Sequence, residues 1–170
     1  MPYVTHQQLA ERPGARELAQ VASDEHQALV PYELMELTLQ AGDRTDWSME
    51  EIALADEALL RIDDAIADAD GLIDGFLRQR GYALPLDPIH RLVTVWSRAI
   101  TRYNLHKNRR SMDSDDTIVR DYRDAMKLLQ QVADGKLALG EDDEVASSGT
   151  GGAPLVSKGC TPVRDALQDY

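Results

Sequence analysis

Acidic side chains at short spacing are the first chemistry this sequence offers. The stretch DDAIADADGLID, residues 63–74, could supply oxygen ligands to a calcium ion. An EF-hand loop needs oxygens at positions 1, 3 and 5, Gly at 6 and a bidentate Glu at 12. With Gly71 at position 6, Asp68 and Asp70 take 3 and 5, but Ile66 and Leu77 fall at 1 and 12. The pattern fails at both ends, and a solvated helix face accounts for these acids better. Nothing selects a pair of carboxylates for acid–base catalysis among 30 acids. The segment GTGGAPLVSKG, 149–159, lacks the Gly-Lys-Ser/Thr of a phosphate loop and follows no strand. His6, His26, His90 and His106 lie far apart, with none at i, i+4 from another, so no metal pair is expected. Cys160 has no base beside it to make it a nucleophile. The sequence therefore assigns no catalytic, cofactor-binding or metal residue.

Composition narrows the class. The chain has 170 residues, 43% hydrophobic and 28% charged, which is the globular range. Aromatics are only 5%, so the core must be Leu, Ile, Val and Ala, which suits packed helices. The net charge of −12 opposes a grip on nucleic acid, whose binders cluster Lys and Arg against phosphates. A single cysteine cannot form an intrachain disulfide. The start, MPYVTHQQLAERPG, has no basic and apolar signal pattern, and no run approaches a membrane span. Together these features point to a soluble protein made in a reducing cytoplasm.

The elements follow from caps and periodicity. Thr5 and Gln8 form a capping box for a short first helix, with Tyr3 and Leu9 as a staple across its start and Pro13–Gly14 as its stop. A second short helix runs through Glu17–Ala22, and Pro31 opens a further one, PYELMELTLQ, that Gly42 ends. Ser48 and Glu51 form a second capping box. Behind it Ile52, Ala55, Leu59, Ile62, Ile66, Ala69, Ile73 and Phe76 repeat at steps of 3 and 4, one stripe on a long helix. Asp56, Asp63, Asp64, Asp68 and Asp74 fall off the stripe and are expected in water. Gly71 and Gly75 allow a bend or a close helix crossing. Gly81 caps the long helix, and YALPL is extended because Leu84 precedes a proline. Asp87 and Pro88 then start the next helix, which turns Leu92, Val95, Trp96, Ala99 and Tyr103 inward and sets Arg91, Arg98 and Arg102 on another face. A last helix carries Val119, Tyr122, Met126, Leu129 and Ala133, with Gly135 at its end. After Gly140 the chain turns acidic and then Ser/Gly-rich, the composition of a flexible linker. It closes on CTPVRDALQDY, whose Val163, Leu167 and Tyr170 form an apolar hook for docking a partner.

The predicted fold is all-α: a small helical bundle over residues 1–140, with two short N-terminal helices, three main helices and an extended C-terminal arm over 141–170. The corner between the long helix and its successor should be rigid. Arg80 caps carbonyls of its own helix, Tyr82 and Tyr103 pack at the corner, and Leu84, Pro85 and Leu86 plug the angle.

These blocks resemble the head–tail adaptor, or head completion, proteins of Mu-like tailed phages and prophages. That family opens with Tyr-x-Thr and a following leucine, here Tyr3, Thr5 and Leu9. Its most specific block reads approximately Asp-x-Tyr-Leu-x-x-Arg-Tyr-x-Leu-Pro-Leu; here it is DGFLRQRGYALPL, 74–86, with Phe76 in the tyrosine slot and Gly81 inserted. Arg102, Tyr103 and Leu105 match an Ala-Arg-Tyr-x-Leu block, and Tyr122, Ala125, Leu129, Gly135 and Lys136 match a final helix. The resemblance covers residues 3–139; the departures are Gly81, a longer insert around 24–47 and the arm. It implies a virion structural protein without enzyme activity or cofactor, located at the neck where head meets tail. It implies a ring of copies, twelve by analogy, beneath the portal protein and against a tail-side connector or tail terminator protein. DNA would be only passing cargo, and an acidic lumen would repel its phosphates. Two other classes stand beside this reading: a cytoplasmic helical module or regulator that docks a partner through its C-terminal tail, and an enzyme using acids of the long helix.

Overall fold

A computed structural model describes residues 1–24, 26–107 and 116–139. The expected linker and arm, with Cys160, Val163, Leu167 and Tyr170, lie outside the described residues. Among the described residues the chain is all α-helical, with no strand. The short helices are α1 (His6–Leu9), α2 (Ala15–Ala22) and α3 (Tyr32–Leu39); the main ones are α4 (Met49–Arg80), α5 (Arg91–His106) and α6 (Thr117–Ala133). A wide, π-type turn over Ala10–Gly14 joins α1 to α2 and is broken at Arg12, whose backbone is extended.

Both capping boxes form. The Thr5 hydroxyl accepts from Gln8 N while the Gln8 side chain accepts from Thr5 N, and Ser48 and Glu51 do the same for α4. The staple differs from expectation by one residue. Val4 and Leu9 share a core, whereas Tyr3 belongs to a different one. Position N′ and position N4 are the pair that meets across a helix start, and Val4 occupies N′. The insert around 24–47 contributes α3, which brings Leu34, Met35 and Leu39 into the core. Ala41, with φ of 53°, takes the left-handed backbone after this helix, in place of the expected Gly42.

Helix α4 has 32 residues, about 48 Å of rise. Its first half, from Ala55 to Ile66, packs with α1, α2 and α3 around Leu9, Leu18 and Met35. Its second half, Ala69, Ile73 and Leu77, packs with α5 and α6 around Trp96, Ile100 and Leu129. The buried face begins on the expected stripe but ends on Leu77 instead of Phe76, which is only partly buried. A repeat of 3 and 4 averages 3.5 residues, and a straight helix drifts about 20° per heptad against it, so after three heptads the next residue faces inward. Gly71 and Gly75 are exposed, with open space around them, and mark no crossing.

Helix α5 begins at Arg91 with His90 as its N-cap, not at Asp87–Pro88. Residues 82–90 stay non-helical, laying Tyr82, Leu84, Leu86 and Ile89 onto the second core. The face of α5 that meets the core is also rotated from expectation. Val93, Trp96, Ser97, Ile100 and Thr101 are buried, while Leu92 and Val95 remain 43% and 45% exposed. In α6 the inward set is Ile118, Val119, Ala125, Leu129 and Val132, so Tyr122, Met126 and Ala133 sit at its margins.

Truncating Ile62 or Ile73, each fully buried in a different core, to Ala is expected to cost about 2–5 kcal/mol. Leu60→Ala, at a residue 64% exposed, should stay within about 0.5 kcal/mol. Urea unfolding followed by circular dichroism checks all three.

Candidate functional site

The corner forms as a hydrogen-bonded stop followed by an apolar strap. Gly81, with φ of 101°, ends α4 by donating to Leu77 O and Arg78 O at 3.1 and 3.0 Å, and Tyr82 N reaches Leu77 O at 3.0 Å. A side chain at position 81 would be strained in that left-handed conformation. Tyr82, Leu84 and Leu86 then lie half-buried on the second core, while Pro85 is exposed. Arg80 extends to the end of α6. Its guanidinium is so close to Gly135 that a β-carbon there would come within 2.9 Å of Nη1. Gly135, at φ of 73°, closes α6 with Lys136 N donating to Gln131 O at 2.8 Å. The structure thus gathers Arg80, Tyr82, Leu84, Pro85 and Leu86 at one end of the bundle.

Tyr103 is not part of that corner. It lies about 18 Å along α5 from Arg91 and stacks on Tyr122 of α6, ring centroids 4.0 Å apart and 12° from parallel. The two family-like Arg–Tyr blocks therefore serve opposite ends of the α5–α6 pair.

At Tyr103's end of α5 is a cluster that periodicity did not reveal. Glu17 of α2 accepts a two-pronged contact from Arg102, Nε to Oε1 at 2.6 Å and Nη2 to Oε2 at 2.7 Å. His106 Nε2 stands 2.9 Å from the same Oε1, and its ring is buried. Burial pushes the Glu17 carboxyl up, but the hydrogen bonds and charges of Arg102 and His106 outweigh it and hold it below the ordinary glutamate value. The same contact raises Arg102. A cleft of about 480 Å³ opens beside the cluster, between Arg16, Gln20 and Ile118.

A second clasp ties the first residues to α4. Tyr3 N donates to Asp70 Oδ2 at 3.0 Å, the Tyr3 hydroxyl donates to Asp74, and His6 Nε2 sits 2.5 Å from Asp63 Oδ1. Ser97 of α5 donates to Asp70 Oδ1 at 2.9 Å. Burial raises the Asp70 carboxyl, and burial followed by the Asp74 contact raises the Tyr3 phenol. Asp63 and Asp74, expected in water, are partly buried holders of the N-terminal segment. Their spacing from Asp70, 7 and 4 residues, sets all three on one face of α4, a signal the sequence did carry. Residues 66–77, the span a calcium loop would occupy, run as uninterrupted helix. Among the described residues no group of three or more His, Cys, Asp or Glu could hold a metal, and no helix is long and apolar enough to cross a membrane.

This arrangement holds helices in fixed relation. Residues 3–157 match the model of the family described as Bacteriophage Mu, Gp36. The chain belongs to that family of Mu-like phage and prophage proteins. It is 35% identical over 135 residues to the Mu-like prophage FluMu protein gp36 of Haemophilus influenzae, covering 78% of this chain and 89% of that relative. It is 32% identical over 89 residues to Gene product J of Escherichia phage Mu, covering 52% of this chain and 60% of that protein. No solved structure matches.

The Glu17 cluster has a definite pH signature. Because the folded carboxyl lies below its ordinary value of 4.5, its stabilisation is present above that value and is lost as pH falls through the folded one. Glu17→Gln should therefore be less stable than wild type at pH 7, with the gap closing on acidification. Urea midpoints measured from neutral to acid pH test this; a gap that does not change with pH would remove the charge from the explanation.

Proposed function

We propose that this chain is a virion structural protein, a head–tail adaptor that forms a ring under the portal and joins the capsid to the tail. The observation that carries the reading is membership of the Mu Gp36 family over 3–157, nearly the whole chain. Three physical features support it. The described residues form a helical body whose elements are clasped to one another by ion pairs and hydrogen bonds, which suits a part that must keep its shape between partners. The charge of −12 suits a wall past which DNA slides without sticking. The corner at Arg80–Leu86 and the exposed face of α5 offer two different surfaces, as the head-to-tail contacts of a ring require.

In this reading the protein turns over no substrate and uses no cofactor. Its partners are the portal protein, copies of itself, and the tail-side connector or terminator protein, with the neck of the virion as its location. Val163, Leu167 and Tyr170 of the arm make a contact required for assembly. The isolated protein is monomeric or weakly associated and closes into a ring only on the portal.

Electron microscopy of purified virions, and of portal mixed with this protein, tests the role. A ring of this chain between portal and tail is the expected result; its absence from mature particles would overturn the proposal. A chain lacking 155–170 should keep the helical circular dichroism spectrum yet fail to support particle assembly, and normal assembly would remove the arm from the account.

A further inference from the structure

Helix α5 carries more apolar surface than its bundle covers. Val93, Trp96 and Ile100 face α4, but Leu92, Val95 and Ala99 form a second stripe at steps of 3 and 4. Leu92 and Val95 are nearly half exposed. Beside them, between α5 and α6, runs a groove of about 390 Å³ floored by Trp96 and Ala125 and walled by Val95, Ala99 and Leu128. Its rim is charged, with Arg12 and Arg98 against Asp121 and Asp124. Arg98 Nε is buried there and meets no acceptor among the described residues.

We infer that this α5–α6 groove is the docking site of the chain's own segment 163–170. That segment, VRDALQDY, places Val163, Leu167 and Tyr170 at steps of 4 and 3, the spacing that a docked helix would present on one face over about 10 Å. The Leu92–Val95–Ala99 stripe has the same length and the reverse order of steps, so the two can lie side by side as a helix fills a groove. The charges also match. Asp169, on one flank of that face, can reach the Arg12 and Arg98 side of the rim, and Arg164, on the other flank, the side of Asp121 and Asp124. Val163 follows Leu139 by 24 positions, a contour of at most about 80 Å, several times what is needed to return along α6. A tethered segment also meets its groove at an effective concentration in the millimolar range for a short flexible linker, which favours it over a separate molecule of equal intrinsic affinity. Docking in this way covers the apolar face of an isolated copy. The inference does not rest on the ring reading, because it concerns the free chain.

Cys160, three residues before Val163, supplies the probe. A nitroxide placed on it in the full-length, isotopically enriched chain should broaden the amide signals of Val95, Ala99 and Leu128, while Ile52 at the far end of α4 keeps its intensity. Leu167→Asp, at a position outside the described residues, should restore the broadened signals. No broadening in the groove, or broadening that persists in Leu167→Asp, would overturn the inference. So would broadening that appears fully when label and enrichment are on different molecules, since that would put the segment on a neighbouring copy. None of these outcomes bears on whether the chain joins a portal.

Discussion

A helix 32 residues long cannot bury its apolar stripe against one small cluster, and everything else in this protein answers to that constraint. The stripe of α4 is divided. Ala55 to Ile66 serves one core with α1–α3, and Ala69 to Leu77 serves another with α5 and α6. Two cores on one helix would behave as two loosely joined bodies unless something crossed between them. Leu105 of α5 packs on the first core, and polar contacts add to that crossing. Tyr3 reaches from the first residues to Asp70 and Asp74 beside the second core, and Arg102 and His106 of α5 reach back to Glu17 in α2. Each is partly or largely shielded from water, where charge-assisted hydrogen bonds are strong and the loss of one partner is costly.

The local chemistry was readable in advance. Ser48 with Glu51, Thr5 with Gln8, and Gly81 all act on backbone groups within a few residues, so spacing alone identifies them. The faces of the helices were less readable. Leu92, Val93, Val95, Trp96, Ala99 and Ile100 cover so much of α5 that periodicity allows two registers. The register adopted is the one that turns Ser97 toward Asp70, a polar requirement that hydrophobic spacing does not contain. Likewise Asp63, Asp70 and Asp74 read as a wetted face because their partners, His6, Tyr3 and Ser97, come from elsewhere in the chain. The pairing of Glu17 with His106 is hidden from spacing for the same reason: the two are 89 residues apart in sequence.

The corner shows both halves of this lesson. Its stop at Gly81 and its apolar strap at Tyr82, Leu84 and Leu86 are where the sequence placed them. Arg80, by contrast, spans to Gly135 at the end of α6, and Tyr103 serves the opposite end of α5 by stacking on Tyr122. Blocks that stand in fixed order in the sequence thus brace the two ends of the α5–α6 pair. A body braced at both ends is what a load-transmitting part of a particle requires, and that is the physical link between the fold and the role proposed for it.

Braced in this way, the two cores should open as one. Native-state hydrogen exchange on the amides of Ile62 and Ile73 tests it most directly, since the two residues are fully buried in different cores on the same helix. A shared opening free energy, equal to that of global unfolding, is the predicted result. Two separate values, with the Ile62 half opening while the Ile73 half stays protected, would contradict it.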